Sequence, residues 1–211
     1  GGVITGGLIA AGYDYYFGDL TNDGTITGAA IDIYDRLVNT GSVDVSAGGR
    51  LMLKCVNYRF GQVTNTGTVA GTIAGDCLVW DGGGDGSTWS DPLNWNVDRA
   101  PGPGGVTPGV WSRRVYVVTD ATHDISVHLD VNQDFGFASQ LDVVGLTFGR
   151  TATLTIDAGV TLSFADAAIG LQVSNGRLTN NGTAVLGNTT FGWLATVTNA
   201  GGMALRQQTT V

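Results

Sequence analysis

The side chains best placed for chemistry lie on one stretch, Asp124-Ile-Ser-Val-His-Leu-Asp-Val131. Ile125, Val127, Leu129 and Val131 alternate with Asp124, Ser126, His128 and Asp130, so a β-strand would gather the four polar groups on one face. A histidine flanked by carboxylates is the arrangement a general base requires. The competing reading is a strand with one wet face, and alternation by itself favours it. His123 has the wrong parity to share that face, which disfavours a two-histidine metal site within the strand. No catalytic residue is assigned on these grounds, and the chain is expected not to be an enzyme.

A second cluster lies upstream, in Trp80-Asp-Gly-Gly-Gly-Asp-Gly-Ser-Thr-Trp89-Ser-Asp-Pro-Leu-Asn-Trp95. Aromatic faces beside Asp and Asn suit a sugar, so Trp80, Trp89, Trp95 and Trp111 are candidate carbohydrate-binding residues. In the same glycine-rich stretch Asp81, Asp85 and Asp91 are candidate ligands for calcium, the one cofactor the sequence suggests. The alternative is a self-packed loop whose tryptophans form a satellite core. A weaker calcium pattern occurs earlier, where Asp19, Thr21, Asp23 and Gly24 resemble the start of a dockerin-type EF-hand loop. Its closing carboxylate is missing, because Ala30 stands there. Calcium binding there would make Ala29 to Val38 the exiting helix.

The elements that must position these groups announce themselves by repetition. Leu178-Thr-Asn-Asn-Gly-Thr-Ala-Val-Leu186 has counterparts starting at Leu20, Leu37, Val63 and Val197. The shared frame is an apolar residue, a spacer, Asn, any residue, Gly, then a strand-like run. Asn and Gly tolerate a left-handed backbone, so each phrase reads as a bend between strands. The glycines stand at 24, 41, 67, 182 and 201, in steps of 17, 26, 115 and 19. Steps near twenty suit a β-solenoid coil, which buries its apolar face only by stacking on its neighbours. Val43 and Val45, or Leu51 and Leu53, would face inward, with Asp44 and Met52 outward. Cys55 and Cys77 are 22 residues apart, about one coil, which makes them a candidate disulfide. A bridge would fit an extracellular setting.

Composition agrees. All 18 acidic residues are Asp, Lys54 is the only lysine, and Gly numbers 34, so strong charged helix formers are nearly missing. A net charge of −8 argues against nucleic acid or an anionic membrane as partner. No apolar run reaches membrane-spanning length. With neither an initiator Met nor a charged opening, any secretion signal is expected to have been removed. Residues 1–12 are uncharged and read as an entry strand or docking arm, followed by Tyr13, Tyr15, Tyr16 and Phe17 as a cap or interface. Asn181-Gly-Thr183 and Asn188-Thr-Thr190 fit glycosylation acceptors.

One resemblance goes further. Trp80-Asp-Gly-Gly-Gly-Asp-Gly with Trp89, Asp91-Pro92, Asn94-Trp95 and Pro101-Gly102 resembles the opening of large secreted bacterial β-solenoid proteins, autotransporter-like and adhesin-like. It implies an all-β, right-handed parallel β-helix at the cell surface or outside the cell. The expected organisation is N-terminal coils over 1–77, a Trp/Gly/Pro loop over 78–112 that interrupts the ladder, and C-terminal coils over 113–211. The expected function is structural or adhesive, with self-association into fibres or a place in a longer parent solenoid. The alternatives are a polysaccharide-active enzyme, or a carbohydrate-binding module with a glycan as partner.

Overall fold

The computed structural model describes residues 2–6, 8–11, 20–34, 36–56, 59–102, 114–119, 123–135, 139–145, 149–164 and 170–205. The protein is all-β with parallel sheets; among the described residues the only helical turn is the 3-10 segment Pro92–Asn94. The chain divides into two compact units, the first closing at Cys77 and the second opening at Leu78.

In the first unit the backbone visits three sheets in rotation. One contains Leu20–Asn22, Arg36–Asn39 and Gln62–Asn65. The next contains Val3–Thr5, Thr25–Thr27, Ser42–Asp44 and Thr68–Ala70. The third contains Leu8–Ala11, Ala30–Ile33, Arg50–Leu53 and Ile73–Gly75. Alternate residues point into a common interior: Ile26, Ile31, Leu37, Val43 and Leu51 are buried. Met52, expected on the outer face, is buried too. Ala29 to Val38 contribute the strands Ala30–Ile33 and Arg36–Asn39, so the helix of a calcium-binding hand is absent; Asp19 lies outside the described residues.

The repeated phrase has a use the sequence did not reveal. Its asparagines point inward and stack: Asn22 Nδ2 donates to Asn39 Oδ1, and Asn39 Nδ2 to Asn65 Oδ1, at 2.7 Å each. Each amide also serves its neighbouring backbone, as where Asn39 Nδ2 donates to the Thr68 carbonyl at 3.1 Å. The glycine two residues on is not left-handed in any of the five phrases, which corrects the expected reason for it. Close approach demands it instead. A Cβ on Gly41 would fall on the Gly24 carbonyl oxygen, and one on Gly67 on that of Gly41. Gly182 and Gly201 meet backbone carbonyls in the same way.

The long step from Gly41 to Gly67 reflects added residues at two places, the turn after Asp44 and the antiparallel hairpin of Cys55–Val56 with Arg59–Phe60. Leu53 pairs with Gly75, so Lys54 meets Asp76 and Cys55 meets Cys77 by continuing that register. Lys54 Nζ lies 2.9 Å from Asp76 Oδ2, and the two cysteines form a disulfide with Cα atoms 6.1 Å apart. Non-reducing mass spectrometry should therefore show one intramolecular bridge. Reduction should lower the stability of the first unit by about 3 kcal/mol, the loop-closure value for a ring of this size. Free thiols in oxidised protein, or an unchanged urea midpoint after reduction, would refute this.

The second unit repeats the plan. Arg114–Val118, Gln140–Val144, Gly170–Ser174 and Thr189–Phe191 form one sheet. Ile125–Leu129, Ala152–Ile156, Gly176–Asn180 and Thr196–Asn199 form the next. Gln133–Asp134, Thr161–Ser163, Thr183–Leu186 and Gly202–Leu205 complete the circuit. One interior column runs Leu129, Ile156, Asn180, Asn199, switching from apolar packing to an asparagine pair at 2.7 Å. Phe135 stacks on Phe164 with ring centres 4.5 Å apart.

The Trp segment was expected to interrupt the ladder, yet it contributes an incomplete first rung to this unit. Leu78–Val79 pairs in parallel with Val115 and Tyr116. Further on, His128 N donates to Ser87 O at 2.7 Å and Trp89 N donates to His128 O at 2.9 Å. Gln133 Nε2 donates to Gly102 O at 2.8 Å beside the remaining sheet. None of these pairing residues is a proline, so the ladder loses no donor where it needs one.

Candidate functional site

The outer face of the sheet containing Ile125–Leu129 carries the polar row predicted from alternation. Ser126 aligns across the strands with Thr153, Arg177 and Thr196, and His128 with Thr155, Thr179 and Thr198. Asp124, Ile125, Ser126, Thr151, Thr153 and Arg177 line a shallow depression of about 240 Å³.

The row's charged members are occupied with local structure. Asp124 Oδ1 accepts the Thr151 N–H at 2.9 Å. Asp130 accepts the backbone N–H and hydroxyl of Ser90, at 3.0 and 2.5 Å. His128 Nδ1 lies 3.0 Å from Asp157 Oδ1, with the imidazole half exposed. Asp157, 29 residues away in sequence, is the partner that reading a single strand could not supply. A carboxylate can orient a histidine for catalysis, but among the described residues no hydroxyl or thiol nucleophile is hydrogen-bonded to this ring. What the row displays is one exposed His128–Asp157 pair.

The carboxylates of the Trp segment do not converge. Asp81 Oδ1 accepts from Gly83 N at 3.1 Å, and Asp91 accepts from Asp85 N at 2.9 Å and Leu93 N at 3.0 Å. Asp85 Oδ1 accepts from Ser87 N, Thr88 N and Asn94 Nδ2, each at 2.8 Å. Among the described residues no group of three His, Cys, Asp or Glu side chains could hold a metal ion. The three aspartates instead cap turns, accepting backbone N–H groups of their own segment. At the centre is a residue to which the sequence reading gave no role of its own, the fully buried Asn94. Its Oδ1 accepts from Gly84 and Gly86, and its Nδ2 donates to Asp85 and to Thr88 O.

The tryptophans are interior as well. Trp89 and Trp95 are fully buried and Trp80 nearly so. Trp95 meets both others edge-on, at 5.2 Å from Trp80 and 4.8 Å from Trp89, and its Nε1 donates to Trp89 O at 2.9 Å. A sugar cannot stack on a face already covered by protein, so these three do not form the proposed carbohydrate surface; Trp111 lies outside the described residues. Among the described residues, five of the seven exposed large apolar side chains, Phe191, Trp193, Leu194, Val197 and Leu205, lie within residues 191–205; the other two are Leu93 and Val131.

Hydrogen bonds from the Thr88 side chain, the Ser87 and Thr88 amides and Asn94 hold the Asp85 carboxyl well below the ordinary carboxylate range. A lowered folded-state pKa gives stability that is complete above the unfolded value of about 4 and declines as pH falls. The segment should thus loosen in acid, with the buried indoles reporting it as a red-shifted emission. Asp85→Asn should be destabilised at pH 7, and its gap from the parent should close as pH drops below about 4. A gap of constant size would refute the assignment.

No protein-family model, curated protein or solved structure matches the chain. Among the described residues no helix is long and apolar enough to cross a membrane.

Proposed function

We propose that the chain is a right-handed parallel β-helix, a β-solenoid, serving as a structural or adhesive element of a bacterial surface or extracellular matrix. The observation that carries this reading is the in-register stacking of successive circuits on three parallel sheets, joined internally by asparagines. Crossovers between parallel strands of one sheet are almost always right-handed, which gives the hand. The Cys55–Cys77 bridge fits an oxidising compartment outside the cytosol. Function would then reside in the outer faces of the parallel sheets, since the acidic groups of the polar row and the Trp segment serve mainly to cap turns and join strands.

The test is incubation with neutral and acidic polysaccharides, with release of reducing or unsaturated ends as the readout. No product is expected, and Asp124→Ala and His128→Ala should stay within about 0.5 kcal/mol of the parent in stability. Turnover that disappears in either variant would replace this reading with a polysaccharide-active enzyme working at the Asp124–Arg177 depression.

A further inference from the structure

The depression on the outer face of the sheet containing Ile125–Leu129 has a polarity that turn capping does not explain. Ser126, Thr153 and Arg177 stand in one rank on three neighbouring strands, while Val127, Leu154 and Leu178 beside them turn into the core. Asp124 precedes the first of these strands, and its Oδ1 accepts the Thr151 N–H. Its Oδ2 has no partner among the described residues, and neither do the Ser126, Thr151 and Thr153 hydroxyls or the Arg177 guanidinium. Elsewhere Arg50 and Lys54 are each paired with an aspartate.

The unused groups are ordered by charge. Arg177 lies two strands from the strand that Asp124 leads, roughly 10 Å away at the usual strand spacing, so the two form no ion pair. A cation stands at one end, a carboxylate oxygen at the other, and hydroxyls lie between. The free guanidinium fork matches a carboxylate bidentately. Hydroxyls both donate and accept, as the hydroxyls of a sugar do, and Asp124 Oδ2 can only accept from one. A free phosphate or sulfate would instead meet the charge of Asp124. Ile125, half-buried, supplies an apolar wall for the C–H face of a ring. The volume, about 240 Å³, suits one sugar residue and not a long segment of chain. A net charge of −8 opposes a dense polyanion, so the ligand is an acidic sugar set among neutral ones.

We propose that this depression binds a uronic acid residue of an otherwise neutral saccharide, without cleaving it. Arg177 holds the carboxylate, while Ser126, Thr151, Thr153 and Asp124 Oδ2 hold the ring hydroxyls. The inference rests on the adhesive reading above and gives that surface a class of ligand.

Titration of the isotope-labelled full chain with cellobiouronic acid, a glucuronic acid linked to glucose, tests this by nuclear magnetic resonance. Amide shifts should centre on residues 124–126, 151–153 and 176–178. Cellobiose, and the methyl ester of the acid, should bind about tenfold more weakly. Arg177 is exposed, so Arg177→Gln should keep the fold; it should lower affinity for the acid about tenfold and leave that for cellobiose within about twofold. Arg50→Gln removes the same charge from the first unit and should change neither affinity, which separates the site from general attraction. Equal binding of the acid and its ester would overturn the proposal. So would the absence of any shift at saturating saccharide, or an Arg177→Gln variant that binds like the parent. In those cases the probe stays intact and the structural reading stands. Cleavage of the probe would sink the adhesive reading itself, and with it the claim of binding without turnover.

Discussion

Asn39→Ala is expected to lower the stability of the first unit by about 3 kcal/mol, because it leaves the buried Asn22 amide short of an acceptor, at about 1–3 kcal/mol, and removes the donor from three less buried oxygens. The substitution strips Asn22 Nδ2 of its asparagine acceptor, removes the side-chain donor to the Gly41 and Thr68 carbonyls, and leaves Asn65 Oδ1 with the Gly67 N–H alone. Asn39 is fully buried, so water cannot substitute without opening the coil. Asn65→Ala, at the exposed end of the same ladder, should cost about 1 kcal/mol. Urea unfolding of the two variants checks the pair. Equal losses would mean that the ladder is not cooperative and that the amides act only as local caps.

Trp95→Ala should destabilise the second unit by about 5 kcal/mol, the upper end for emptying a buried aromatic site. The indole is fully buried, meets two other tryptophans edge-on and donates a hydrogen bond to Trp89 O. Its removal leaves a cavity under the incomplete first rung, so Trp80 and Trp89 should become accessible to quenchers at urea concentrations where the parent is intact. Trp193→Ala is the control: the ring is 74% exposed, and its loss should stay within about 0.5 kcal/mol. A Trp95 variant as stable as that control would show that the three rings decorate the unit without supporting it.

These variants also mark where sequence reading reached its limit. The phrase containing Asn39 was legible as a repeat, and an all-β chain of parallel sheets followed from it, because short amphipathic strands at that spacing bury their apolar faces only against neighbouring repeats. The inward turn of the asparagine was not legible. Asn is ordinarily a surface residue, and its amide is acceptable inside only when another rung supplies the partner, a relation that one phrase alone does not display. The glycine was assigned to the right place for the wrong cause, since close approach and left-handed geometry select the same residue. Around Trp95 the aspartates left two readings open. Carboxylates spaced along a glycine-rich loop suit calcium and backbone N–H groups equally, and only the positions of Asn94 and the amides show which groups they cap here. The His128 pairing with Asp157 joins adjacent coils and required knowing the register.

The Cys55–Cys77 bridge has a mechanical consequence. It joins consecutive coils at equivalent positions, so a pull along the backbone cannot draw out the residues between them, however far the strands on either side have parted. An extended chain spans roughly 3.4 Å per residue, so the 22-residue loop withholds roughly 75 Å of length until the bridge is reduced. Under load the first unit is therefore short and stiff at its closing coil when oxidised and longer when reduced, which makes its extensibility a property of the surrounding redox potential.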